Sequence, residues 1–179
     1  MGRFVIGVFI IVASAANWAQ AQSCDLFIAA LRALGADSAN TILVDHTVMG
    51  VPTFSFNAFS GLVRGDTALA SATEKPLREL NAARVPVPGC LTTEHAWAVV
   101  SDSVLVGLFR AGQWTAFHTR FPKAAQFALV SRPLINGDTA TLYVAIAAGK
   151  LSGRGVIMRF VRGVDGKWIK QSEVQLWVS

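Results

Sequence analysis

Three histidines are the side chains best suited to proton transfer near neutral pH, and each has a different setting: His46 follows Asp45, His95 follows Glu94, and His118 lies within a run of aromatics. A hydrolase would join His95 or His118 to a carboxylate and to a hydroxyl such as that of Ser152. In such a set the acid fixes the imidazole tautomer and the ring takes the hydroxyl proton. No G-x-S-x-G elbow, S-x-x-K or H-E-x-x-H accompanies these residues. His95, His118 and Ser152 are therefore the weaker, catalytic candidates, and the pattern suits binding better than catalysis. Three scattered histidines and two cysteines give no metal-ligand spacing, so no metal or cofactor is expected.

The stretch Gly149-Lys150-Leu151-Ser152-Gly153-Arg154-Gly155 is the most suggestive for binding, because glycines let backbone N–H groups turn toward an anion while Lys150 and Arg154 add charge. It matches neither a P-loop nor a dinucleotide fingerprint, and glycines between two strands also make an ordinary hairpin turn. The charge around it is lopsided. Between residues 22 and 109 five basic residues face eight acidic ones, whereas between 110 and 170 ten basic residues face only Asp138 and Asp165. Lys150, Arg154, Arg159 and Arg162 are the candidate ligand-binding residues for an anionic envelope component such as lipopolysaccharide, phospholipid or polyanionic glycan. The plainer reading makes them the solvated outer face of a sheet.

Where such a component would be met is suggested by the first 21 residues. Arg3 precedes the apolar run from Phe4 to Ala13, and Ala19-Gln20-Ala21 supplies small residues at a cleavage site. This layout predicts a signal peptide over 1–21 cut after Ala21, and a periplasmic or secreted chain beginning at Gln22. The run falls short of the about 20 apolar residues that span a bilayer, which argues against a retained anchor. A lipid-modified Cys24 is disfavoured because Ala21-Gln22-Ser23 lacks a large aliphatic three residues before it. Cys24 and Cys90 are the only cysteines, and an even pair in an oxidising compartment predicts a Cys24–Cys90 disulfide. Residues 22–179 have the size of one domain with no further membrane span, and nucleic acid is a poor partner for an exported chain.

The elements that must position these side chains follow from periodicity. Phe27, Ala30, Leu31 and Leu34 share a helical face behind Ser23 as N-cap, with Gly35 as the stop. A strand is expected over Thr41–Thr47 before the Gly50-Val51-Pro52 turn, with Phe54, Phe56 and Phe59 unassigned. A short helix is expected from Thr73-Glu74-Lys75-Pro76 through Ala83, then an extended Val85–Gly89 connector leading to Cys90. His95–Val100 reads as a strand, Ser101 or Asp102 as the cap of a helix through Phe109, and Trp114, Phe117 and Phe121 as an aromatic helical stripe. After it comes a meander over Phe127–Arg132, Ala140–Ala147, Gly155–Arg162 and Trp168–Trp177, with turns at Asn136-Gly137-Asp138 and Asp165-Gly166. The class is α+β: a curved antiparallel sheet, a C-terminal four-strand meander, with the N-terminal helices packed on one face. Should such a sheet enclose a mouth, Tyr143, Trp114, Trp168 and Trp177 would line it.

From Trp114 to Ser179 the chain resembles a group of uncharacterised bacterial exported proteins. The likeness rests on Trp114-x-x-Phe117, Phe121-Pro122, Ser131–Asn136, Ala140-x-Leu142-Tyr143-Val144, Gly149–Gly155, Gly166-Lys167-Trp168 and Trp177-Val178-Ser179. It implies a fold and no established activity. A cone like that of nuclear-transport-factor-like domains is compatible with the element order by analogy. The function expected is a non-catalytic exported module binding an envelope component or partner protein, against a small periplasmic hydrolase or a structural assembly subunit.

Overall fold

A computed structural model describes residues 24–48, 64–93 and 95–179. Residues 1–21, where a leader is expected, Ser23, the expected turn at Gly50-Val51-Pro52, Phe54, Phe56, Phe59 and Glu94 lie outside the described residues. The first helix, α1 (24–33), buries Leu26, Phe27, Ala30 and Leu31 and ends as its spacing predicts. Gly35 takes φ +85°, and the N–H of Ala36 returns to the carbonyl of Leu31 at 2.9 Å, closing the helix through a left-handed residue.

Strand β1 (Thr41–Val44) is fully buried and shorter than expected. After β2 (Arg64–Gly65), helix α2 (Thr67–Leu80) begins six residues earlier than the sequence suggested. The Asp66 side chain accepts the N–H of Leu69 at 2.9 Å, so the cap is Asp66, and Pro76 sits inside the helix. The Val85–Gly89 connector is extended as expected, and Pro86 bridges His46. It leads into a single turn, α3 (Cys90–Thr93), and a disulfide joins Cys24 to Cys90.

Ala96 at φ +53° interrupts the expected strand, leaving β3 as Ala98–Val100. Helices α4 (Asp102–Ala111) and α5 (Gln113–Arg120) follow, carrying the aromatic stripe inward: Phe117 is fully buried and Trp114 stacks on Phe127 at 5.7 Å. The last five strands are β4 (Gln126–Val130), β5 (Leu134–Asn136), β6 (Thr139–Gly149), β7 (Ser152–Arg162) and β8 (Trp168–Val178).

The strands form one open sheet in the order β2-β8-β7-β6-β4-β1-β3, with β5 also paired to β6. The meander is antiparallel as expected, but β1 runs parallel to both β3 and β4, so the whole sheet is mixed. The α4–α5 pair is the crossover that lets β3 and β4 run the same way. Register shifts leave one extra residue on β6 at Ala148 and on β8 at Gln171 and Leu176, and such bulges bend and twist a sheet into a curve.

The helices divide between the two faces, which amends the expectation of one covered face. Leu142 and Val144 of β6, with Val156, Met158 and Phe160 of β7, pack under α1. Tyr143 and Ala145 of β6, with Ile157 and Val174, pack under Leu69 and Leu77 of α2. Helices α4 and α5 cover Ile42, Val44 and Leu129 on that second side. Alternation along β6 makes both assignments at once, since successive side chains point to opposite faces. Tyr143 and Trp177 join the α2 cluster, Trp168 the α1 cluster and Trp114 the α4–α5 cluster, so these four line no common mouth.

Candidate functional site

The glycine run makes the ordinary hairpin turn that glycines between two strands allow, from β6 to β7. Only Lys150 and Leu151 form the turn. Ser152 pairs with Gly149, Gly153 with Ala147 and Gly155 with Ala145, so these residues belong to the ladder and make no anion-cradling loop. Lys150 is exposed in the turn. Ser152 and Arg154 border a groove of about 330 Å³ with Leu151 and Val178.

The three candidate arginines do not share a face. Arg154 turns toward α1 and donates from Nη2 to the carbonyl of Leu34 at 2.9 Å, satisfying one of the helix-terminal oxygens. Gln126 donates to the neighbouring Gly35 carbonyl at 3.3 Å, so two side chains hold the end of α1. Arg162 lies on the same side, its guanidinium 4.6 Å from the ring centroid of Trp168. Arg159 points to the opposite face and is exposed.

A groove of about 360 Å³ opens around Arg159. In register across the sheet, Leu134 of β5 faces Thr141 of β6, Thr141 faces Arg159, and Arg159 faces Ser172 of β8. Helix α2 covers the row of Tyr143, Ile157 and Val174 farther along the strands, and its Asp66 end stops beside this next row. The β8 bulge at Gln171 falls directly beyond Arg159, a place where such irregularities re-aim side chains.

The polar groups of the groove differ in how far they are committed. Thr73 donates to the Leu69 carbonyl at 2.6 Å and Thr139 to that of Asn136 at 2.9 Å. Asp66 uses Oδ1 on the N–H of Leu69. Arg159 meets no carboxylate among the described residues, and the Thr141 hydroxyl meets no hydrogen-bond partner among them. A planar guanidinium beside a hydroxyl suits a carboxylate, phosphate or sulfate group on a hydroxylated ligand. Among the described residues no histidine lines the groove, and Asp66 is the one carboxylate that does.

The catalytic candidates stand apart from it. His118 on α5 shares a 3.2 Å hydrogen bond through Nδ1 with the Ala124 carbonyl and packs against Trp114, an arrangement that ties α5 to the β4 approach. His95 lies half-buried before β3. No hydrogen bond or ion pair joins either ring to Ser152 or to a carboxylate among the described residues. Nor do the described residues gather three or more histidines, cysteines or acids in a metal-sized cluster.

His46 is the histidine that does meet an acid. Its Nδ1 lies 2.9 Å from Asp45 Oδ1, which also accepts the N–H of Asp102 at 3.3 Å, and Asp102 in turn pairs with Arg84 at 2.8 Å. Partial burial raises the Asp45 pKa, but the His46 contact and the Asp102 N–H together outweigh this and hold the carboxyl below its usual 3.8. This network ties the carboxyl ends of β1 and β3 to the start of α4. Sequence reasoning noted the Asp45-His46 pair without its partners, and it missed Thr141 and Asp66 in the groove. The one local signal for Asp66 was its cap position three residues before Leu69.

Compared with protein-family models, with curated proteins and with solved structures, the chain matches none. Its class rests on its own coordinates: an α+β domain with a mixed, curved sheet and a Cys24–Cys90 disulfide. Among the described residues no helix is long and apolar enough to cross a membrane.

Proposed function

We propose that this is an exported, non-catalytic binding module whose Arg159 groove takes the anionic group of an envelope component. The observation that carries the reading is the row Leu134–Thr141–Arg159, which sets a guanidinium without a carboxylate partner beside a hydroxyl without a hydrogen-bond partner, both among the described residues. The leader-like first 21 residues and the disulfide support export, the second because such bonds persist in oxidising compartments. Protein recovered from its native host therefore begins at Gln22, and an intact Met1 in mass spectrometry defeats the export reading.

Of the four basic candidates, Arg159 carries the ligand. Arg154 serves the end of α1 and Arg162 the face of Trp168. Titration with lipopolysaccharide and with an oligouronate tests the assignment. Arg159→Gln abolishes binding of whichever probe the native protein retains, while Lys150→Gln leaves it in place. Unchanged binding by Arg159→Gln removes the groove from consideration.

A further inference from the structure

We propose a second site, beside the edge strand β3 and its neighbour β1, that binds a single-chain amphiphile with an anionic phosphate or carboxylate head. It is independent of the Arg159 groove. At the amino ends of the parallel strands β1, β3 and β4, the corner between α5 and β4 leaves a groove of about 330 Å³. Its lining is mostly apolar: Ile42, Ala98, Phe121, Pro122 and Ala124 contribute to it.

Two cations, Arg120 and Lys123, border this apolar strip. Arg120 lies 5.9 Å from the centroid of the Phe121 ring, and neither cation forms an ion pair with an acid among the described residues. The nearest acid in the chain before the groove, Asp37, is folded onto its own turn, where one oxygen accepts the N–H groups of Ala39 and Asn40 at 2.9 and 3.1 Å. From Ser103 to Gly137 the sequence holds no acidic residue at all. An anion approaching this edge therefore meets positive charge from the α5 end, and an attached apolar chain finds the strip between Ala98 and Pro122.

An apolar lining with cations at one end distinguishes a chain-bearing anion from a bare one, because burial of methylenes adds to the charge-assisted contacts. A bare phosphate gains only the second. Phosphate from a lipid and phosphate free in solution are thus separable by titration.

The test is isothermal titration of the full, disulfide-bonded chain with dodecyl phosphate below its micelle concentration, with inorganic phosphate and phosphatidylglycerol vesicles as separate titrants. With the Arg159 groove disabled by Arg159→Gln, dodecyl phosphate is expected to bind at one site, and inorganic phosphate at least about tenfold more weakly. The double variant Arg120→Gln/Lys123→Gln is expected to lose about tenfold or more in affinity. In the same Arg159→Gln background, Ala98→Asp, which places a carboxylate at an exposed position in the strip, weakens binding with an unchanged Tm. Undiminished affinity in either the double variant or Ala98→Asp overturns the site. Equal affinity for inorganic phosphate overturns the amphiphile, and vesicle binding without dodecyl phosphate binding replaces the groove with a flat membrane contact.

Discussion

Trp177 on β8 donates from Nε1 to the hydroxyl oxygen of Tyr143 on β6 at 2.9 Å, reaching across the intervening strand β7. The bridge is possible because β7 presents Gly155 at the crossing, where a Cβ would lie 2.6 Å from the Tyr143 oxygen. One missing side chain lets two aromatic residues from non-adjacent strands meet over the middle strand. Gly155→Ala forces them apart and is expected to destabilise the fold by about 1–3 kcal/mol, read as a lower denaturant midpoint at unchanged slope.

Tyr143 is the chain's single tyrosine, so its ionisation can be followed by ultraviolet absorbance without interference from another phenol. Burial pushes its pKa up to about 12 from 10.0, against the lowering effect of the Trp177 N–H. Between those values the unfolded chain has given up the proton and the folded chain has not. Stability is therefore full below pH 10 and falls by about 1.4 kcal/mol per pH unit as pH rises toward 12. A native titration midpoint coinciding with that in urea contradicts the burial.

Asp45 has the opposite sign. Its folded pKa lies below 3.8, so its contribution is present above the unfolded value and is lost as pH falls through the folded one. Asp45→Asn weakens the tie to His46 and to the Asp102 N–H, lowering stability by about 1 kcal/mol at neutral pH and flattening the acid limb of the stability profile. Chemical denaturation at several pH values between neutrality and acid reads both effects.

Asn81 is fully buried after α2, where it donates to the Leu77 carbonyl at 2.8 Å and accepts the N–H of Arg132 at 2.7 Å. It couples the helix end to the corner between β4 and β5. Replacement by Ala leaves the half-buried Arg132 N–H without its acceptor and costs about 1–3 kcal/mol, whereas an exposed residue such as Lys150 changed to Ala alters stability by less than about 0.5 kcal/mol. Urea unfolding of both variants checks the contrast.

Removal of the disulfide through Cys24→Ser/Cys90→Ser relaxes a 66-residue separation in the unfolded chain and is expected to cost about 4 kcal/mol in the chain-entropy model. Thermal unfolding of the double variant against the oxidised parent measures it, and an unaltered Tm rules the loop-closure account out.

Much of this architecture was legible because local chemistry and global packing agree. The Asn136-Gly137 and Asp165-Gly166 turns, the Gly35 stop and the alternation of Leu142, Tyr143 and Val144 each place their elements without help from distant residues. Where the sequence misled, a distant partner decided. Pro76 looked like a helix start until Asp66 capped the chain ten residues earlier, and β1 carries no mark of being parallel because that depends on the long connection from β1 to β3 and on the α4–α5 crossover from β3 to β4. The candidate site suffered most. Arg154, Arg159 and Arg162 read as one basic set, yet odd and even positions on a strand face opposite ways, and only register reveals that Thr141 stands beside Arg159.

The position of α1 also bears on how the chain must assemble. The helix is the first described element, but the surface that receives its apolar face is built largely from β6, β7 and Trp168 near the other terminus. While the polypeptide is being synthesised, Leu26, Phe27 and Leu31 can meet Leu43, Leu91, Trp97, Ala128 and Val130, but their packing is incomplete until β6, β7 and Trp168 emerge. Completion of the native core thus depends on contacts between the first described helix and the last strands, separations that slow folding through the entropy of closing long loops.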